Sequence, residues 1–190
     1  MKTNETFGLM INPFRRIAGW QAFGLGLVFV LLMGFVGTYS RVSFDGVLDV
    51  HLVQQITVIH SFSLLAIDIF SLVFVMSLIG FTISKSFRLV DILGTMTLAK
   101  APLIIFAVAG YFSKTNDSME ILKNPNLFYQ SLPLIILTIL TIPVLIWNIT
   151  LMYNALKISC DVKGPKLNIA FIIAVILSEI VSKILIYKLI

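Results

Sequence analysis

Four ionisable side chains stand where an apolar chain should not carry them: Asp68, Lys100, Glu179 and Lys183. Each lies well inside a long apolar run. A charge near the centre of a membrane helix costs roughly 2.5 to 3.5 kcal/mol on insertion scales. Such groups pair with one another or face a cavity, so the chemistry on offer is ion pairing, a proton relay or a polar path for a solute. At 100° per residue, Thr57, His60, Ser61, Asp68 and Ser71 share one face of their helix. Ser63 and Ser77 fall elsewhere, so that face is incomplete. Lys100 shares a face with Ala107 and Tyr111, and Pro102 follows two residues later. Proline has no N–H and its ring clashes with the carbonyl four residues back, here Leu98, which frees an acceptor near the lysine. Glu179 and Lys183 are four apart with the acid first, the favourable order on a helix, and Ser178 and Ser182 flank them.

Two arrangements are open for the lysine. If the connector after the second apolar run turns near Ser84, Asp68 and Lys100 each lie 16 positions from it and reach similar depth as a pair. Otherwise Lys100 bonds carbonyls freed by Pro102, and serines satisfy Asp68. Glu179 and Lys183 either neutralise each other or form part of a relay. The candidate intramembrane polar site is Asp68, Lys100, His60, Ser61, Ser71, Tyr111, Glu179 and Lys183.

Nothing in the chain has the spacing of a known catalytic motif. There is no GxSxG, HExxH, P-loop or glycine-rich dinucleotide fingerprint. Two histidines and one cysteine, Cys160, stand far apart and give no metal set by spacing. The expectation is no catalytic, metal or cofactor-binding residue, no cofactor and no enzyme activity. The tripeptide "NIT" at Asn148 matches a glycosylation sequon but lies within an apolar run; "NDS" at Asn116 lies in a loop.

The elements that position these residues follow from composition. Of 190 residues, 58% are hydrophobic and only 12% charged, and the mean hydropathy is +1.01. Soluble domains carry about 25% charged residues, so the solvent for this chain is lipid. A span takes about 20 apolar residues. Five runs qualify, at about 17–39, 56–84, 92–112, 132–156 and 168–187. Their length predicts helices rather than barrel strands. The fold class is an all-α bundle of five transmembrane helices in a single domain, residues 1–190, since the connectors are too small to fold alone. The first run is read as a retained anchor, because no small-residue cleavage site ends it. Ala18, Ala22, Gly26 and Gly34 recur at multiples of four along it, a stripe that permits close helix packing. Pro143 is expected to kink the fourth span, and Gly164-Pro165 marks the turn into the fifth.

The net charge of +5 does not call for a nucleic-acid partner, because the basic residues sit between spans. Lys2, Arg15, Arg16, Lys85, Arg88, Lys157, Lys163 and Lys166 fall on one side, and Arg41, Lys114, Lys123 and Lys188 on the other. The excess places the N-terminus in the cytoplasm and the C-terminus outside.

The pieces "NPFRRIAGW", "SFRLVDILGTMTLAKAPLII", "AVAGYF" and "IWNITLMYNALK" occur in that order, followed by a short basic loop. In this order they resemble the Yip1 domain family of five-span membrane proteins, over nearly the whole chain. The resemblance implies a five-helix bundle with a cytosolic N-terminus and offers no catalytic residues. Eukaryotic members are linked to vesicle traffic and small GTPases, but they carry a long N-terminal region. Only about 16 residues precede the first span here, so the chain looks more like the short bacterial members, and the GTPase role is not carried over. The expected function is a non-enzymatic membrane scaffold or organiser acting through helix contacts, in the bacterial cytoplasmic membrane. Its expected partners are the lipid bilayer and further copies or other membrane proteins. The alternative is a small transporter or channel with a polar path at Asp68, Lys100 and Glu179.

Overall fold

The computed structural model describes residues 8–84, 88–113, 123, 124, 126 and 132–190. Lys2, Lys85, Lys114 and the sequon at Asn116 lie outside them. Among the described residues, five helical segments are long and apolar enough to cross a membrane: Gly19–Ser40, Val58–Ile83, Leu89–Phe112, Ile135–Cys160 and Pro165–Leu189. These are the expected five, with ends shifted by a few residues. The elements are α1 (Gly19–Ser40), β1 (Val42–Ser43), β2 (His51–Leu52), α2 (Val58–Ile83), α3 (Leu89–Ala99), α4 (Ile104–Ser113), α5 (Leu132–Cys160) and α6 (Pro165–Leu189). The third span is α3 and α4, joined by a 3-10 turn at Ala101–Leu103.

Local chemistry sets the ends. Thr57 caps α2 by accepting the His60 N–H at 3.2 Å. Asp91 stands in the first turn of α3, where a carboxylate favours the helix dipole. Pro165 takes the first turn of α6, where a missing N–H costs nothing, and Gly164 before it holds φ +81°. Pro143 lies inside α5, which continues past it.

The third span is the axis of the bundle. Two thirds of its span is buried inside the protein (67%), against 22% for the fourth and 28% for the fifth. It packs on α1, α2 and α5, while α6 packs chiefly on α2. Lipid covers what the protein leaves open: Ile136, Ile139, Ile142 and Ile146 on α5, and Ile169, Ile172, Ile176 and Ile180 on α6, are all exposed from the protein. An apolar exterior is the expected surface in hydrocarbon.

Close approach of α1 to α3 rests on the small-residue stripe. Ala22, Gly26, Val30 and Gly34 are buried on α1. A Cβ at Gly26 would stand 2.6 Å from Leu98 N and 2.8 Å from the Thr97 carbonyl carbon, both rigid backbone. Across the interface, a Cβ at Gly94 would run into the Gly19 carbonyl. Gly26→Ala should therefore destabilise the bundle by about 1–3 kcal/mol through overpacking. Gly24→Ala, at a site with nothing within 4 Å, should stay within about 0.5 kcal/mol. Unfolding of both variants in lipid bicelles checks the contrast; equal losses would remove the stripe's role.

Candidate functional site

The site begins at a break in a helix. Pro102 cannot donate, and the chain tightens around it: Lys100 N–H bonds Thr97 O at 3.3 Å, and Leu103 N–H bonds Lys100 O at 3.0 Å. This leaves the Ala99 carbonyl without its usual partner four residues on. Asn148 of α5 supplies one, donating from Nδ2 at 2.7 Å. Asn148 is fully buried, and its amide satisfies the break from a neighbouring helix.

Lys100 closes α3 at this break and is itself 1% exposed. Its ammonium does not bond a freed carbonyl of its own helix. It donates to Val47 O at 2.6 Å. Val47 belongs to the connector between α1 and α2, which turns inward. Arg41 ends α1 in the left-handed region at φ 57°. Val42 and Ser43 then pair antiparallel with Leu52 and His51, and Val53 N–H bonds Arg41 O at 2.9 Å. The tip of this hairpin carries Phe44 and Val47, 2% and 0% exposed. On the far side of the tip, Glu179 Oε2 of α6 accepts the Leu48 N–H at 2.9 Å. The Val47 carbonyl and the Leu48 N–H are the two polar ends of one peptide group. A cation holds its negative end and an anion its positive end, each through a charge-assisted hydrogen bond. Gly46 makes room for this: a Cβ there would collide with Glu179 Oε1.

A second tier surrounds the clamp. Lys183 Nζ lies 2.6 Å from Asp49 Oδ2 and 3.6 Å from Asp45 Oδ2, and His51 Nδ1 lies 3.0 Å from Asp45 Oδ1. Spacing leaves Glu179 and Lys183 either neutralising each other or forming part of a relay. Instead both turn to the hairpin, which offers an N–H to one and two carboxylates to the other. Asp68 is fully buried on α2 and accepts a hydrogen bond from Ser182 of α6 at Oδ1, while Oδ2 has no hydrogen-bond partner. Asp68 and Lys100 are close enough for their charges to interact, but they form no direct hydrogen bond.

Of the other expected site residues, Ser61 ties α2 to α1 by donating to Gly34 O at 3.2 Å, and Ser71 bonds Ile67 O in its own helix. His60 and Tyr111 are exposed and lie outside the cluster. Spacing alone missed Asn148, the inward hairpin, and the grouping of Asp45, Asp49 and His51. Ligand atoms of these last three lie within 4.8 Å of one another. Among the described residues they are the group that could hold a cation, but the Lys183 ammonium already stands against both carboxylates.

Two side chains of the hairpin have perturbed titration. Contact with the Asp45 carboxylate raises the His51 pKa above its ordinary 6.5, against the opposing effect of burial. Burial alone would raise Asp45; contact with His51 and the charge of Lys183 outweigh it and hold the carboxyl below 3.8.

Lys100→Met removes one jaw, takes the donor from the Val47 carbonyl and leaves the fully buried Asp68 without the nearby positive charge. It should destabilise the fold by about 3–5 kcal/mol. Lys100→Met with Glu179→Gln should cost less than the two singles together, by about 0.5–3 kcal/mol in a double-mutant cycle; strict additivity would separate the two jaws. A raised His51 pKa means that its contact with Asp45 contributes fully below the unfolded value of 6.5. That contribution is lost as pH rises through the higher folded value. Thermal stability between about pH 5 and 9 should fall over that window in the wild type and less steeply in His51→Ala.

No family model matches the chain, and no curated protein and no solved structure is found to be similar to it.

Proposed function

We propose that the chain is a non-enzymatic membrane scaffold or organiser, related to the short Yip1-type five-span proteins and resident in the bacterial cytoplasmic membrane. In this proposal the N-terminus is cytoplasmic and the C-terminus lies outside, following the distribution of Lys and Arg. The observation that carries it is the clamp. Lys100 and Glu179 are occupied in holding a backbone peptide, and Lys183 in holding the acids of the same hairpin. Residues committed to backbone and to one another are not arranged around a substrate. The least covered helices, α5 and α6, supply the outward faces for contact with other helices. Chemical cross-linking in native membranes, followed by recovery in mild detergent, should yield a homo-oligomer or a stable membrane-protein complex joined through α5 or α6. Recovery of the monomer alone would count against the scaffold.

A transport reading is favoured by one observation, the buried Asp68 Oδ2 without a hydrogen-bond partner beside the charge of Lys100. Liposome proton or ion flux that is unchanged by Asp68→Asn and Lys100→Met, with both variants folded, would remove it.

A further inference from the structure

The apolar exterior is indented at its N-terminal end. A crevice of about 260 Å³ opens between the N-terminal segment, α1, the break in the third span and α5. Pro13 and Ile17 line its mouth; Leu25, Phe29, Pro102 and Leu151 line its depth. The roof is fastened to α5 rather than laid loosely on it. Trp147 Nε1 donates to Met10 O at 3.0 Å, and Asn154 Nδ2 donates to Ile11 O at 3.2 Å.

Depth and charge identify what fits. Leu25 and Phe29 lie six and ten residues into α1, or roughly 9 and 15 Å below its start at 1.5 Å per residue. The hydrocarbon core is about 30 Å thick, so the crevice runs from one membrane face to about the midplane, the depth of a single leaflet. Arg15 and Arg16, both exposed, lie in sequence between the lining residues Pro13 and Ile17. Arg88 adds a third cation at this end, before Asp91 in the first turn of α3. An apolar slot one leaflet deep beneath paired arginines has the chemistry of one acyl chain under an anionic headgroup.

We propose that this crevice binds an anionic glycerophospholipid, with one acyl chain against Leu25, Phe29 and Pro102 and the phosphate at Arg15 and Arg16. It rests on the protein being embedded in a membrane and is independent of the scaffold reading. The test uses the full chain in detergent micelles, incubated with phosphatidylglycerol or phosphatidylcholine, with bound lipid counted by native mass spectrometry. The wild type should retain phosphatidylglycerol in preference to phosphatidylcholine. Arg15→Gln with Arg16→Gln should weaken phosphatidylglycerol retention by about fivefold per arginine and leave phosphatidylcholine unchanged. Leu25→Trp fills the slot from a position already 45% exposed, and should abolish retention of both. Equal retention of the two lipids by the wild type would overturn the proposal. So would retention by the wild type no greater than by Leu25→Trp. A lipid gained only when residues 2–7 are deleted would also overturn it, because the chain's own N-terminus would then be the occupant.

Discussion

One peptide group between two opposite charges organises this protein. The Val47–Leu48 unit is folded back against the bundle, with Val47 fully buried and Leu48 half-buried. An unsatisfied backbone group there costs several kcal/mol, and so does an unpaired charge. The clamp settles four such debts at once, two backbone groups and two charges. Lys100 comes from the third span and Glu179 from the last, so the hairpin between α1 and α2 is what joins them. Removing any member leaves the others without a partner, which is why the four are coupled.

The helix break follows from the same constraint. Lys100 caps the C-terminus of α3, and the 3-10 turn at Pro102 re-aims the chain at that point. The turn frees the Ala99 carbonyl, and Asn148 closes it from α5. The third span is therefore tied to α5 through its backbone, to the hairpin through Lys100, and to α1 through the glycine contacts at Gly26 and Gly94. A helix with so many fixed neighbours is the natural axis of the bundle. Asp68 and Ser182 then draw α2 and α6 together at a comparable depth.

The sequence carried the spans plainly, because each is a long apolar run and length alone distinguishes a membrane helix. It also marked the charged residues as exceptional, and three of the four join one network with Asp68 close beside it. Their partners were not legible. Periodicity places a residue on a face of its own helix, but the partner of Lys100 is a backbone carbonyl 53 residues away. Backbone acceptors have no residue type, so composition cannot flag them. The i, i+4 spacing of Glu179 and Lys183 suggested a local pair, yet the hairpin offered better geometry to both. One signal was present: "FDGVLDVHL" is too apolar for an exposed connector, and its Val47 and Leu48 suit a buried tip. Asn148 was also visible as an amide within a span, where a polar side chain needs a partner.

The central claim is that the Leu48 N–H is held as firmly as a helix core, although it belongs to a connector. Hydrogen exchange in lipid nanodiscs, read on peptides covering residues 44–50, tests this most directly. Leu48 should exchange only with global opening, as slowly as the buried turns of α3, and Lys100→Met should release it. Exchange at the rate of an open loop in the wild type would contradict the clamp.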